Sequence, residues 1–166
     1  MRILVRCAAA LLACLALGSP IAFAVEPSAE KTLGVFSDLS PKEARDLANT
    51  DGKILLVRWT ATWCGPCKRM DVTTWPHPSI TGWVDENAVA ISADLDAMRR
   101  GAEIQKVNAV PTLIAFKDGK ELDRTVGYQT ADQLLPWLES LKDGKSIDER
   151  LAAEIATLPT NGGREE

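Results

Sequence analysis

The stretch Trp63-Cys64-Gly65-Pro66-Cys67-Lys68 decides the reading of this chain. Two cysteines separated by two residues can close a small disulfide ring and reopen it. Behind them runs Lys53 to Trp59, with the continuous apolar block Ile54-Leu55-Leu56-Val57, too short for a helix and suited to a strand covered on both faces. Ahead, a helix is predicted from Cys64 to about Thr74, with Pro66 tolerated in its first turn. The thiolate is the nucleophile, and the start of a helix favours negative charge. Cys64 is therefore expected to be the exposed, easily ionised thiol. Cys67, one turn inside, is expected to be more buried and inert. Lys68 and Arg69 add modest positive potential.

The other two of the four cysteines, Cys7 and Cys14, lie near the N-terminus. There Arg2 and Arg6 precede an apolar run from Cys7 to about Leu17, Gly18-Ser19-Pro20 breaks it, and Ala22-Phe23-Ala24 offers small residues before a cut. This pattern predicts a secretory signal over residues 1–24, removed after Ala24, and the run falls short of the ~20 residues of a membrane span. Leu11-Leu12-Ala13-Cys14 also resembles a lipobox, with lipid on Cys14 as the minor alternative to ordinary cleavage. On either route only Cys64 and Cys67 remain as thiols. A bridge across so short a loop removes little chain entropy, so the pair is poor as a staple and good as a switch. The expected compartment is the bacterial periplasm.

The whole chain carries 19 Lys and Arg against 23 Asp and Glu, a net charge of −4. Losing Arg2 and Arg6 makes the remainder more acidic still, with no basic cluster, so nucleic acid is not an expected partner. After a mobile leader at 25–32, a single domain is predicted over 33–142, followed by an extension at 143–166. Leu33 to Phe36 is read as a short strand. Ser40-Pro41 opens a helix ended by Asp51-Gly52. Trp75-Pro76-His77-Pro78 interrupts the helix after the cysteines, and Ser79 caps a second short helix to about Asn87. Ala88 to Ile91 is a strand and Asp96 to Lys106 a helix. Thr112 to Phe116 and Glu121 to Val126 are strands joined through Lys117-Asp118-Gly119-Lys120. Thr130 caps a helix that Pro136 should bend or delay. Ser146 to Leu158 reads as one extra amphipathic helix, using Ile147, Leu151, Ile155 and Leu158 as its apolar stripe. The order gives an α/β fold, a central mixed β-sheet flanked by helices on both faces.

At this point the chain resembles the thioredoxin family over roughly Leu33 to Leu141. The marks are Trp63-Cys64-Gly65-Pro66-Cys67-Lys68, Val110-Pro111-Thr112 before an apolar strand, Lys117-Asp118-Gly119-Lys120, and Gly127. Cys67-Lys68-Arg69-Met70 with Pro78-Ser79-Ile80 is also similar to secreted relatives and to the C-terminal domain of the transmembrane disulfide reductase. The resemblance implies a thioredoxin-like fold in which Cys64 attacks and Cys67 resolves the mixed disulfide. It implies a cis Pro111 facing the cysteines, a Val110 backbone that pairs with an extended substrate, and a groove completed by Trp63, Gly65, Pro66 and Thr112.

The chain departs from the family at two positions. Arg58 stands where relatives keep a buried aspartate, and Ser92 where they keep its lysine partner. Asp94, two residues from Ser92, shares its strand face and is the expected partner of Arg58. The alternative is an Arg58 that snorkels to water. Arg58 and Asp94 thus stand as possible modulators.

The expected activity is a protein thiol–disulfide oxidoreductase that reduces disulfides in partner proteins, acting as a monomer with a membrane electron donor and no cofactor. The alternatives are a disulfide oxidase or isomerase, or a module binding copper(I) or protein. Structural zinc wants four ligands, and His77 is the only histidine. Trp59, Trp75, Trp83 and Trp137 are expected in the core or groove wall, and His77 in a loop.

Overall fold

A computed structural model describes residues 34–157. The predicted signal, the whole leader, Leu33, Leu158 and the tail after it lie outside the described residues.

Among the described residues four strands form one sheet in the order β2-β1-β3-β4, with β1 at Ile54–Thr60, β2 at Ala88–Asp94, β3 at Thr112–Lys117 and β4 at Lys120–Val126. β1 runs parallel to β2 and antiparallel to β3, which pairs antiparallel with β4. The sheet is therefore mixed, as the element order requires. The β3–β4 turn is Asp118-Gly119, both at positive φ (51° and 77°), which is the geometry a two-residue hairpin favours.

Alternation along β1 explains its unbroken apolar run. Ile54 and Leu56 enter one core with Met70, Trp75, Ile80, Trp83 and Leu134. Leu55, Val57 and Trp59 enter another with Ala44, Ala48, Ile91 and Ile114. Both faces are covered, so both phases of the alternation are apolar. Burying each such large side chain contributes about 1.5–3 kcal/mol.

The helices are α1 (Pro41–Thr50), α2 (Gly65–Thr73), α3 (Pro78–Asn87), α4 (Arg99–Ile104), α5 (Ala131–Ser140) and α6 (Ile147–Thr157). Ser40 caps α1 in a reciprocal box with Glu43, and Thr130 caps α5 in one with Gln133. Pro136 lies inside α5 with its side chain exposed; α5 starts at Ala131, directly after its cap, so the helix is not delayed by the proline.

Three expectations need correction. Among the described residues no strand forms before α1: Ser37 makes one isolated bridge to Ile91, its N–H donating to the Ala90 carbonyl over 2.8 Å, while Phe36 meets Trp75 edge-on, ring centroids 4.7 Å apart. His77, not Ser79, caps α3, because Pro78 takes the first helical position and leaves the cap to the residue before it. α4 starts at Arg99 rather than Asp96, since the Asp94 carboxylate accepts the Asp96 and Ala97 N–H groups and holds that stretch as a turn. α6 forms where predicted, but it buries no residue: Ile147, Leu151 and Ile155 are exposed. Its tie to the domain is polar, through Arg150 to Asp123 at 3.0 Å.

Candidate functional site

The site is assembled where β1 ends. Thr60 and Ala61 leave the sheet, the Cys64 N–H donates to the Ala61 carbonyl over 3.0 Å, and α2 begins at Gly65. Cys64 is the N-cap of α2. Its Sγ accepts the Cys67 backbone N–H at 3.1 Å, where a serine or aspartate oxygen sits in an ordinary cap. A sulfur held there faces the unpaired N–H end of the helix, which favours its anionic form. Pro66 follows within the first turn, where its missing N–H costs nothing.

Cys64 and Cys67 are joined in a disulfide, with S–S 1.96 Å and Cα atoms 5.3 Å apart. The expected contrast between an exposed and a buried cysteine does not hold in this oxidised form. Cys64 is 2% exposed and Cys67 1%, because both pack with Ala61 against Leu95 and Val110. What distinguishes them is position: Cys64 caps the helix, and Cys67 is inside it. The residues around them, Trp63, Gly65 and Pro66, are exposed.

Trp63 is 63% exposed, and its indole N–H donates to Asp96 Oδ2 at 2.8 Å. Opposite the disulfide, the Val110–Pro111 bond is cis, as the resemblance implies. Pro111 is buried, and its carbonyl accepts the Gly127 N–H at 2.8 Å. Thr112, also buried, donates its hydroxyl to the Ala109 carbonyl at 2.7 Å. These bonds clamp both sides of residue 110. Among the described residues none hydrogen-bonds to the Val110 amide or carbonyl, so an extended segment has a backbone edge to pair with beside the sulfurs.

Arg58 and Asp94 are not brought together. In the β1–β2 register Asp94 lies opposite Thr60, and Arg58 opposite Ser92. Asp94 spends its carboxylate on the turn described above. Arg58 donates through Nε to Ser92 Oγ at 3.0 Å and through Nη1 to Asp71 on α2. Its guanidinium lies 4.1 Å from the Phe36 ring centroid and 5.8 Å from that of Trp75. It does not snorkel: the side chain is only 12% exposed. Its ring and hydrogen-bonding partners lie on β2, on the last turn of α2 and just after it, and before α1, not at the sulfurs.

Sequence reasoning missed Leu95 and Asp96. Leu95 is the apolar neighbour of the disulfide, and Asp96 holds Trp63. Their only signal was the step from a strand ending at Asp94 into a polar turn, which fixed no direction for either side chain. Trp59, Trp75 and Trp83 are buried and Trp137 half-buried, as expected. Among the described residues no group of three or more His, Cys, Asp or Glu converges into a metal-binding cluster.

Comparison with known proteins agrees with this geometry. The thioredoxin-like domain family matches residues 41–142. The chain is similar to a thioredoxin of Chlamydia trachomatis serovar D, 36% identical over 88 residues, spanning 49% of this chain and 76% of that protein. It is similar to a thioredoxin of Staphylococcus saprophyticus, 35% identical over 91 residues, spanning 55% of this chain and 85% of that protein. Among solved structures, a thioredoxin from Thermus thermophilus superposes with a TM-score of 0.60 at 20% identity, covering 73% of this chain and 95% of that one, which is a likeness of fold.

Proposed function

The chain belongs to the thioredoxin-like family and is a thiol–disulfide oxidoreductase working through Cys64 and Cys67, and from that premise we propose a direction and a place: it reduces disulfides of partner proteins in a bacterial periplasm. In the reduced protein the Cys64 thiolate attacks one sulfur of a partner disulfide. A Cys64–partner bond forms, and the partner's other sulfur leaves as a thiolate that takes a proton from water. Cys67 gives its proton to solvent and attacks Cys64 Sγ. The internal bridge closes, the second partner thiolate leaves, and two electrons have moved to the partner. A dithiol donor held at the membrane then reopens the bridge by the same exchange, because this compartment is kept oxidising.

One observation carries the direction. Cys64 Sγ accepts a single hydrogen bond, from the Cys67 N–H, and neither Gly65 nor Pro66 has a side-chain donor to add. Oxidases of this chemistry owe their potential to strong stabilisation of the reduced form, and reductases lie about 150 mV lower, about 7 kcal/mol for two electrons. A thiolate with one neutral donor belongs nearer the reducing end. The place rests on Arg2, Arg6, the apolar run and Ala22-Phe23-Ala24.

Equilibration of the purified mature domain with glutathione or dithiothreitol buffers gives its potential. The expected value lies nearer about −270 mV than about −120 mV; a value at the upper end reverses the direction. Intact mass of protein recovered from the periplasmic fraction is expected to begin at Val25. Recovery only from the cytosol, with residues 1–24 attached, overturns the place.

A further inference from the structure

We propose that the surface around the disulfide selects partner proteins whose own disulfide is flanked by acidic residues. This deepens the exchange reading above and rests on it.

The chain as a whole is acidic, with 19 Lys and Arg against 23 Asp and Glu. The segments that build the site reverse that balance. Residues 60–70, 94–100, 107–112 and 126–129 contain Lys68, Arg69, Arg99 and Arg100, and only Asp94 and Asp96 oppose them. All four cations are exposed. Both acids are engaged within the site, and four cations against two acids leave its segments net positive. Asp94 accepts two N–H groups of its own turn, at 2.8 and 3.0 Å. Asp96 is shared between the Trp63 indole at 2.8 Å and Arg99 at 3.6 Å. The next acid along α2, Asp71, is held by Arg58.

The cations sit on two sides of the sulfurs. Lys68 directly follows Cys67, and Arg69 beside it lies 5.4 Å from the Tyr128 ring centroid. Arg99 and Arg100 open α4, and Arg99 reaches Trp63 through one shared carboxylate. Lys68 and Arg100 make no ion pair among the described residues. Between the two sides lie Trp63 and Pro66, exposed, and the unpaired Val110 backbone. An extended segment laid on that edge passes between positive charges. Surface fields of this kind act over about 8 Å at physiological salt and raise association rates at least about tenfold. The remaining surface is net acidic and disfavours an acidic partner on balance, so the field also favours the productive orientation.

The test uses the reduced mature protein and two cyclic disulfide peptides of equal length, one with glutamates and one with lysines beside the cysteines. At low salt the acidic peptide is expected to be reduced about tenfold faster. At 1 M salt, where screening acts within about 3 Å, the two rates are expected to converge. The double variant Lys68→Glu, Arg100→Glu is expected to invert the low-salt preference. Equal low-salt rates overturn the proposal, as does an acidic preference that survives 1 M salt. The wild-type salt series decides the matter if the double variant fails to fold. Absence of exchange with both peptides and with insulin sinks the oxidoreductase reading itself, a result distinct from equal rates.

Discussion

Trp63 and Asp96 are joined across the site by a 2.8 Å hydrogen bond from the indole N–H to the carboxylate. The bond fixes the large exposed ring next to Cys64 to the turn that follows β2, so the groove wall is set by a contact between two separate crossovers of the chain. A tryptophan this exposed would otherwise sample several rotamers, and a partner would have to order it on docking.

Asp96→Ala is therefore expected to act on partner binding rather than on sulfur chemistry. Losing a net bond of about 1 kcal/mol corresponds to about a fivefold rise in KM for a protein disulfide. kcat, and the rate with a small disulfide that does not touch Trp63, should stay close to wild type. Steady-state kinetics with both substrates check this. An equal loss on both would mean that the site itself has moved.

The helix-cap position of Cys64 predicts an asymmetry between the two cysteine variants. Cys67→Ser keeps the capped nucleophile and lacks the resolving thiol, so mixed disulfides with partners should accumulate. Cys64→Ser should accumulate none, because the remaining thiol is inside α2. Non-reducing gels followed by mass spectrometry of trapped species read out the difference.

Arg58 links three layers: Phe36 before α1, Ser92 on β2 and Asp71 on α2. Arg58→Ala removes the ion pair, the bond to Ser92 and the ring contacts. Asp71 is about half exposed and regains water, which keeps the cost below that of a broken pair in the deep interior. A loss of about 1–3 kcal/mol is expected, or roughly 3–10 °C in Tm. Arg58→Met, which keeps the aliphatic stem between the rings, should recover part of it. Thermal unfolding of both variants, with Asp71→Asn beside them, checks this.

The Ser40–Glu43 capping box has a pH signature. Hydrogen bonds from the Ser40 side chain and backbone hold the Glu43 carboxyl below the usual glutamate range. A carboxyl with a depressed folded-state value stabilises the fold above its unfolded value, and that contribution fades as pH falls through the folded value. Ser40→Ala should raise the Glu43 titration midpoint towards that of a free glutamate. An NMR titration of the Glu43 side chain reads this shift, and an unchanged midpoint in the variant would falsify the assignment.

The parts of the fold set by neighbours in sequence were legible. Asp118-Gly119 specified its hairpin because positive φ at both residues suits few others. The Cys64 cap could be read because strand, cysteine pair and helix are consecutive. Partners chosen across layers were not legible. Arg58 was expected to meet Asp94 because shared strand parity was the only rule available. In the fold, the long side chain runs beneath α2 to Asp71, and the shorter Asp94 finds closer donors in its own turn. The stripe on α6 was legible as amphipathic, but periodicity does not state what lies opposite it, and its apolar residues are exposed. The equal burial of the two sulfurs was hidden for a similar reason: the cover comes from Leu95 and Val110, far along the chain.

That cover has a consequence for selectivity in time. A bridge covered to this degree is reached more slowly by a small thiol diffusing past than by a thiol presented from a docked molecule. A molecule that lodges in the groove and displaces Leu95 and Val110 gains the shorter path to Cys64. The oxidised form is thereby slowed towards incidental reduction by small thiols, and it takes up electrons chiefly from docked macromolecules.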